Sequence, residues 1–364
     1  MRLAIALTAL ASLAMADMDP ETRAGVLEGL MRTPPPPPVE GTHVPRRLPH
    51  DPGAIPGISA EQDLIHHGRR YVGFVSEWNI IEQEMHGAGS PETFVHAQAR
   101  LPLWAQEVSL HELFFWQLSP TSSSPEPFQL PPDVLEALPW GDGWAVQVWD
   151  LHLGATLWST LDGRELRGLW GGVPLVAIDL FRHGHWVDHM EDRESFLSAI
   201  LPQISRERLA ERHRWAEAIR DTLSMHSEEP TDLPAALLSD EDIALRNASR
   251  LRAVQASPEE RRTEEISDQL GDHVTEDDLA RWLAWSPGWA VLAWEIPTGS
   301  PLLMSVASPE SPAPWGCAAL MAVARENRPE SLEEARIALR HLPWGDVSER
   351  LEALRAVGAF PRSD

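Results

Sequence analysis

The stretch Trp140-Gly141-Asp142-Gly143-Trp144-Ala145-Val146-Gln147-Val148-Trp149-Asp150-Leu151-His152-Leu153-Gly154-Ala155 returns 145 residues later as Trp285-Ser286-Pro287-Gly288-Trp289-Ala290-Val291-Leu292-Ala293-Trp294-Glu295-Ile296-Pro297-Thr298-Gly299-Ser300. Without gaps, Trp140 falls on Trp285, Gly143 on Gly288, Trp144-Ala145-Val146 on Trp289-Ala290-Val291, Trp149 on Trp294 and Gly154 on Gly299. In an extended strand Trp144, Val146 and Val148 face one way, Ala145 and Trp149 the other, so both faces are apolar. A strand of this kind is covered on both sides, and its indoles belong to a core. Trp140 and Trp285 stand in the turns before the strands and are the candidates for an aromatic ligand-binding platform.

Working outward, Ser59 to Met85 reads as a helix with Ser59 as cap and Gln62 completing a capping box, and Glu92 to Leu118 as a second. A Ser- and Pro-rich loop spans Ser119 to Pro127. Strands are expected at Trp144–Leu151, Ala155–Leu161, Arg164–Trp170 and Val173–Phe181, with Asp162-Gly163 as a two-residue hairpin turn. Such short connections make sequential strands antiparallel neighbours. Helix resumes from Arg193 to about Ser224. A weaker echo, Ile58-Ser59-x-Glu61 against Ile204-Ser205-x-Glu207, completes the division. The fold class is α+β: two related lobes, 58–203 and 204–364, each with helices on a small antiparallel sheet containing a Trp-rich strand. The sequences of the two copies part after the second strand, where Ser308–Pro314 replaces the Asp-Gly hairpin.

The 364-residue chain is long enough for two cores, and its apolar and charged fractions of 43% and 23% are those of a folded protein. Its basic residues are all Arg, as in proteins from GC-rich bacterial genomes. They are outnumbered 55 to 30 by acidic residues. A net charge of −25 repels phosphate backbones and anionic lipid, which argues against nucleic acid and leaves a basic protein or a small ligand as the expected partner. The single cysteine, Cys317, rules out an intrachain disulfide and a cysteine-rich zinc site.

Residues 1–16 have the form of a signal peptide, with Arg2, an apolar run and an Ala14-Met15-Ala16 cleavage site, which implies a periplasmic or secreted protein. A start at Met15 or Met18 would instead give a cytoplasmic one. Residues 17–57 hold a short helix near Pro20–Arg32 and a Pro-rich linker including Pro34–Pro38. No other segment is apolar for long enough to span a membrane.

The densest polar cluster is Arg182-His183-Gly184-His185-Trp186-Val187-Asp188-His189. If extended, it sets His183, His185 and His189 on one face for a single divalent metal, with Asp188 as an oxygen ligand. The segment resembles the His-x-His-x-Asp-His signature of metallo-β-lactamase-fold hydrolases, with one residue too many between the second His and the Asp. That resemblance implies a metal-dependent hydrolase. His66, His67, His86, His96 and His111 lie on the early helices, with Glu82 and Glu107 each four residues before a His, and the spacing singles out no site. Cys317, with His341 as a base, stands at an expected helix start. Phosphate-binding, dinucleotide, zincin and serine-hydrolase motifs are missing. The sequence reading is therefore a non-enzymatic binding or protein-interaction protein, with the hydrolase as its alternative.

Overall fold

The first tryptophan stretch forms β1 (Gly143–Asp150), and a tight turn leads into β2 (Ala155–Asp162). In that turn Gly154 has φ +65°, a conformation glycine adopts without strain, and its N–H donates to the Asp150 carbonyl at 2.8 Å. The Asp162-Gly163 pair does not return the chain as a hairpin. Arg164–Trp170 is a loop, not a strand, and β3 (Gly172–Asp179) pairs with the other edge of β1, giving the order β2-β1-β3. The apolar end of the loop decides this: Leu169 and Trp170 are buried, and Gly168 bridges out of the sheet to Ala313. There are thus three strands here rather than four.

The later copy repeats the plan with β4 (Trp289–Glu295), β5 (Ser300–Val306) and β6 (Cys317–Val323), ordered β5-β4-β6. The offset of 145 holds through all three strands. Trp144 opposes Leu161 as Trp289 opposes Val306, and Ala145 opposes Ile178 as Ala290 opposes Val323. The register shift falls after Gln147 in one sheet and after Leu292 in the other. Gly171 and Gly316, at φ +80° and +85°, open the third strands. The loops after the second strand differ in sequence, but the likeness resumes at the third strand, where Trp170-Gly171, Leu175 and Ala177 match Trp315-Gly316, Leu320 and Ala322.

The sheets meet through reciprocal backbone bonds. Gly168 and Ala313 exchange N–H donors at 2.8 and 3.0 Å, Gly171 N donates to Cys317 O at 2.8 Å, and Gly316 N donates to Gly172 O at 2.9 Å. Asn247 is buried against this junction, accepting from Trp170 N and donating to Gly168 O and Ser311 O. Asp150 accepts both its contacts at 2.7 and 2.8 Å from the buried Arg250. Cys317 opens β6 rather than a helix, and burial pushes its thiol well above the usual range, so it is no thiolate.

The early helices run as expected. α1 (Ala60–Asp63) continues through a π-helical segment, Leu64–Tyr71, into α2 (Val72–His86). Ser59 caps α1 by accepting from Gln62 N. α3 (Pro91–Gln117) is opened by Ser90 as cap and Pro91 in the first turn, where a missing N–H costs nothing. It carries Pro102 in its interior and lies against both β3 and β5, spanning the two sheets. Gln117 at its end donates to Ala177 O and accepts from Ala177 N, satisfying the backbone of β3 much as a strand would. A short α4 (Pro132–Glu136) precedes β1. After β3 come α5 (Arg182–His189), α6 (Arg193–Ile200) and α7 (Arg206–Thr222), then α8 (Asp240–Ala253) and α9 (Glu276–Trp285). α10 (Leu332–Leu339) and α11 (Trp344–Val357) follow β6.

The computed structural model describes residues 37–120, 127–139, 142–223, 237–255, 270, 274–342 and 344–359. The expected signal peptide, the helix at Pro20–Arg32, most of the loop 119–127 and Trp140 lie outside them. Among the described residues no helix is long and apolar enough to cross a membrane. Helices with two three-stranded antiparallel sheets make this an α+β fold.

Candidate metal centre

Three separate parts of the chain deliver four side chains to one buried point. His66 comes from the π-helical segment and His111 from α3. Asp179 ends β3, and His183 lies in the first turn of α5. Local chemistry prepares each position. π-Helical turns disturb the ordinary helical side-chain spacing and recur at functional sites. Asp179 Oδ1 accepts from Phe181 N at 2.8 Å, which turns the chain out of the strand and starts α5 one residue later. His183 lies in the first turn of that helix, which brings its ring to Asp179, and a Cβ at Gly184 would lie 3.2 Å from the Asp179 carboxyl carbon. Glycine there leaves the carboxylate room.

The four ligand atoms lie within 4.8 Å of one another, and all four residues are buried. Asp179 Oδ2 is 2.8 Å from His66 Nε2 and 3.3 Å from Nε2 of both His111 and His183, while the His111 and His183 Nε2 atoms are 3.1 Å apart. His111 Nδ1 is 2.7 Å from the Glu107 carbonyl, which can only accept, so the proton of neutral His111 is on Nδ1 and its Nε2 presents a lone pair. That lone pair faces an anionic oxygen and another imidazole nitrogen. His66 Nε2 and Asp179 Oδ2, though close, are buried without a hydrogen-bond partner.

Acceptors converging with too few donors are costly in a dry interior, and a cation resolves the cost. Burial pushes His66 down to about 4, only partly offset by Asp179, and pushes His183 well below its usual range. Burial by itself would raise the Asp179 carboxyl, but the surrounding imidazoles outweigh it and hold it well below the usual carboxylate range. At neutral pH His66 and His183 are therefore neutral imidazoles and Asp179 a carboxylate, the deprotonated forms that a metal requires. The mixed nitrogen and oxygen donors suit manganese, iron or zinc and disfavour calcium or magnesium. The residues present thus fit a single metal ion.

Around the donors the walls are aromatic. His66 packs on Phe114 and Phe115, with ring centroids 5.0 and 4.7 Å away, and His111 on Phe74 and Trp144 at 4.9 and 5.0 Å. Phe181 stacks on His183 at 5.2 Å. Outside this layer the exposed Arg164 sets its guanidinium 5.0 Å from the Phe74 ring and 5.5 Å from that of Phe181. Arg70, half-buried nearby, is pushed down to about 10 by burial and by Arg164, and remains cationic. Glu107, fully buried, receives the Trp144 indole N–H at 3.4 Å, and its Oε2 has no hydrogen-bond partner. Burial raises its carboxyl. Gln62 reaches across from α1, donating to His183 O at 2.6 Å and accepting from Val187 N at 2.9 Å. It clamps the helix that carries His183 and does not complete the expected capping box.

Of the residues singled out in sequence, His183 alone joins the cluster. The expected extended segment is the helix α5, on which residues 183 and 185 point about 200° apart. His185 packs on Phe196 with Nε2 3.4 Å from Leu180 O. Asp188 accepts from Ser59 N at 2.7 Å, and His189 bonds Ser195 Oγ and Gly57 O. Each ties α5 to its neighbours. Trp285 packs edge-on against Phe94. Among the early histidines, His67 bonds Arg46 O, His86 bonds Asp278, and His96 is exposed. The partners missed were His66, His111 and Asp179. The one local signal for them was Asp179 four residues before His183, at the end of an apolar strand.

No family model matches the chain. It is similar over about half its length to curated superoxide dismutases. The manganese superoxide dismutase 1 of Halobacterium salinarum is 28% identical over 190 residues, covering 46% of this chain and 94% of that one. The iron superoxide dismutase of Aquifex aeolicus is 26% identical over 197 residues, covering 47% and 92%. The manganese superoxide dismutase 2 of Haloferax volcanii is 25% identical over 187 residues, covering 46% and 94%. Taken with the buried His-His-Asp-His cluster, these relatives overturn both sequence expectations, the non-enzymatic binding protein and the hydrolase, and point to an oxidoreductase holding one metal ion.

Proposed function

We propose that this protein is a superoxide dismutase whose single manganese or iron ion is held by His66, His111, Asp179 and His183. The observation that carries the reading is the convergence of those four side chains on one buried point. A bound ion of either metal would supply the one-electron redox chemistry by which two superoxide anions and two protons become dioxygen and hydrogen peroxide. The protein's own residues do the rest. Phe74, Phe114, Phe115, Trp144 and Phe181 keep bulk water from the donors. Arg70 and Arg164 put positive charge at the outer edge of this aromatic layer, which offsets the repulsion that a chain of net charge −25 exerts on an anionic substrate. Glu107 and Trp144 fix the orientation of the wall beside His111.

The matching register of the two sheets supports a second element of the proposal: the lobes derive from one duplicated unit. Only the first copy kept the donors, since Ala324 and Arg328 stand at the offset positions of Asp179 and His183.

The test is catalytic removal of superoxide, followed by rapid-mixing spectrophotometry, by untagged protein loaded with manganese or iron. Activity should scale with bound metal and vanish, with the metal, in His111→Ala. Fully metallated protein that leaves superoxide to decay at its uncatalysed rate would sink the assignment.

A further inference from the structure

The same offset identifies a second location of interest, at the end of β6. In the first lobe the residues following β3 supply a carboxylate and an imidazole to a cation site. In the second lobe residues just beyond Ala324, the counterpart of Asp179, border a surface cavity of about 650 Å³ lined by Ala284, Arg325, Glu326, Arg328, Pro329 and Glu330. We infer that this cavity is a binding site for a small oxyanion of the phosphate class, held by Arg325 and Arg328.

The donor chemistry has been inverted. A methyl group stands where Asp179 would be and a guanidinium where His183 would be, so two donors of the first cluster have no counterpart here and a cationic group stands in place of one of them. Arg325 is exposed, while Arg328 is half-buried and short of partners. Arg328 Nη1 donates to the Ser286 carbonyl, which orients the guanidinium without neutralising it, and its Nε is buried with no hydrogen-bond partner. Burial and the nearby Arg325 both work against its charge. Among the described residues neither guanidinium forms an ion pair, in a chain where carboxylates outnumber arginines 55 to 30. Glu326 and Glu330 line the same cavity, yet both are exposed and neither reaches ion-pair distance. Glu330 N instead donates to Glu334 Oε2, fixing the start of α10.

Two adjacent guanidiniums without counter-ions repel each other, and an oxyanion bridging their N–H forks removes that repulsion while satisfying the free donors. The cavity lies within the ordinary range for small-ligand sites of roughly 300–1,000 Å³. The carboxylates on its rim set the specificity: they repel a second anionic group and accept from hydroxyls, so a monoester fits better than a polyphosphate.

Isothermal titration of the metal-loaded protein with inorganic phosphate, at low ionic strength, tests this directly. Saturable binding of one phosphate per chain is expected, weakened at least tenfold in Arg325→Gln/Arg328→Gln and unchanged in Arg336→Gln, a surface arginine outside the cavity. Should the double variant fail to fold, Arg325→Gln alone keeps the Arg328 contact to Ser286 and should still weaken binding several-fold. No saturable binding to the wild-type protein, or full affinity in the folded variants, overturns the inference.

Discussion

Replacing Asp179 by asparagine separates a metal centre from a buried ion-pair network. The substitution preserves shape and one oxygen while removing the charge that three imidazoles face at 2.8–3.3 Å. If Asp179 were the counter-ion of a buried imidazolium, its loss would strand that charge and cost about 3–5 kcal/mol. Burial, however, holds His66 and His183 below their usual range, so at pH 7 those two imidazoles are neutral. The new amide can then donate to a lone pair, and the metal-free protein should change by no more than about 1 kcal/mol. At about 2–4 °C per kcal/mol, the two cases differ as a shift under about 4 °C against one of about 6–20 °C. The wild-type protein should also gain about 2.7 kcal/mol, or about 5–11 °C, when metal is supplied at a hundred times its dissociation constant. Asp179→Asn should gain nothing. Differential scanning calorimetry of both proteins, metal-free and with added manganese, reads every arm. Strong destabilisation of the metal-free variant, or an undiminished response to manganese, would refute the metal-ligand role.

Gln62→Ala removes two hydrogen bonds that hold α5, and should cost about 2 kcal/mol by chemical denaturation while loosening metal retention on dialysis. Unchanged retention would show that α5 is held elsewhere. Arg164→Glu should slow superoxide removal roughly three- to tenfold at low salt and reverse the sign of its ionic-strength dependence, whereas an unaltered salt profile would exclude Arg164 from steering. Glu295 provides a pH test away from the metal. Burial raises its carboxyl to about 7 from 4.5, so the unfolded chain ionises first as pH rises. Stability is thus highest below about pH 4.5 and declines up to pH 7, by about 3 kcal/mol in all. Glu295→Gln should match the wild type near pH 4.5 and be more stable above pH 7, and parallel stability profiles would contradict the shift.

The tryptophan stretch made both sheets legible, because a strand apolar on both faces has one sensible place and its repetition at a fixed offset has one sensible meaning. The long helices were legible from capping residues and apolar spacing. The order of strands was not. Asp162-Gly163 is a sound hairpin signal, and it was overruled by the need of Leu169 and Trp170 to pack at the junction of the sheets, information that lies in the other lobe. The candidate site failed for a related reason. Residues 183–189 are dense in histidine, but a metal site needs convergence in space, and two of its four donors, His66 and His111, lie on helices far from His183 in the chain. Asp179 looked like an interruption in an apolar strand, and His66 was one histidine among five on helices of unknown packing. Treating 182–189 as extended then paired His183 with His185, when the turn from β3 into α5 pairs it with Asp179 at the strand's end.

Anomalous diffraction from crystals of untagged protein grown with manganese and iron supplied, recorded above and below each absorption edge, tests the metal centre most directly. One strong peak per chain is expected, bounded by His66, His111, Asp179 and His183, and none beside Ala324 and Arg328. A well-ordered site with no anomalous signal among those four side chains, or a metal bound instead by His185, Asp188 and His189, would contradict it.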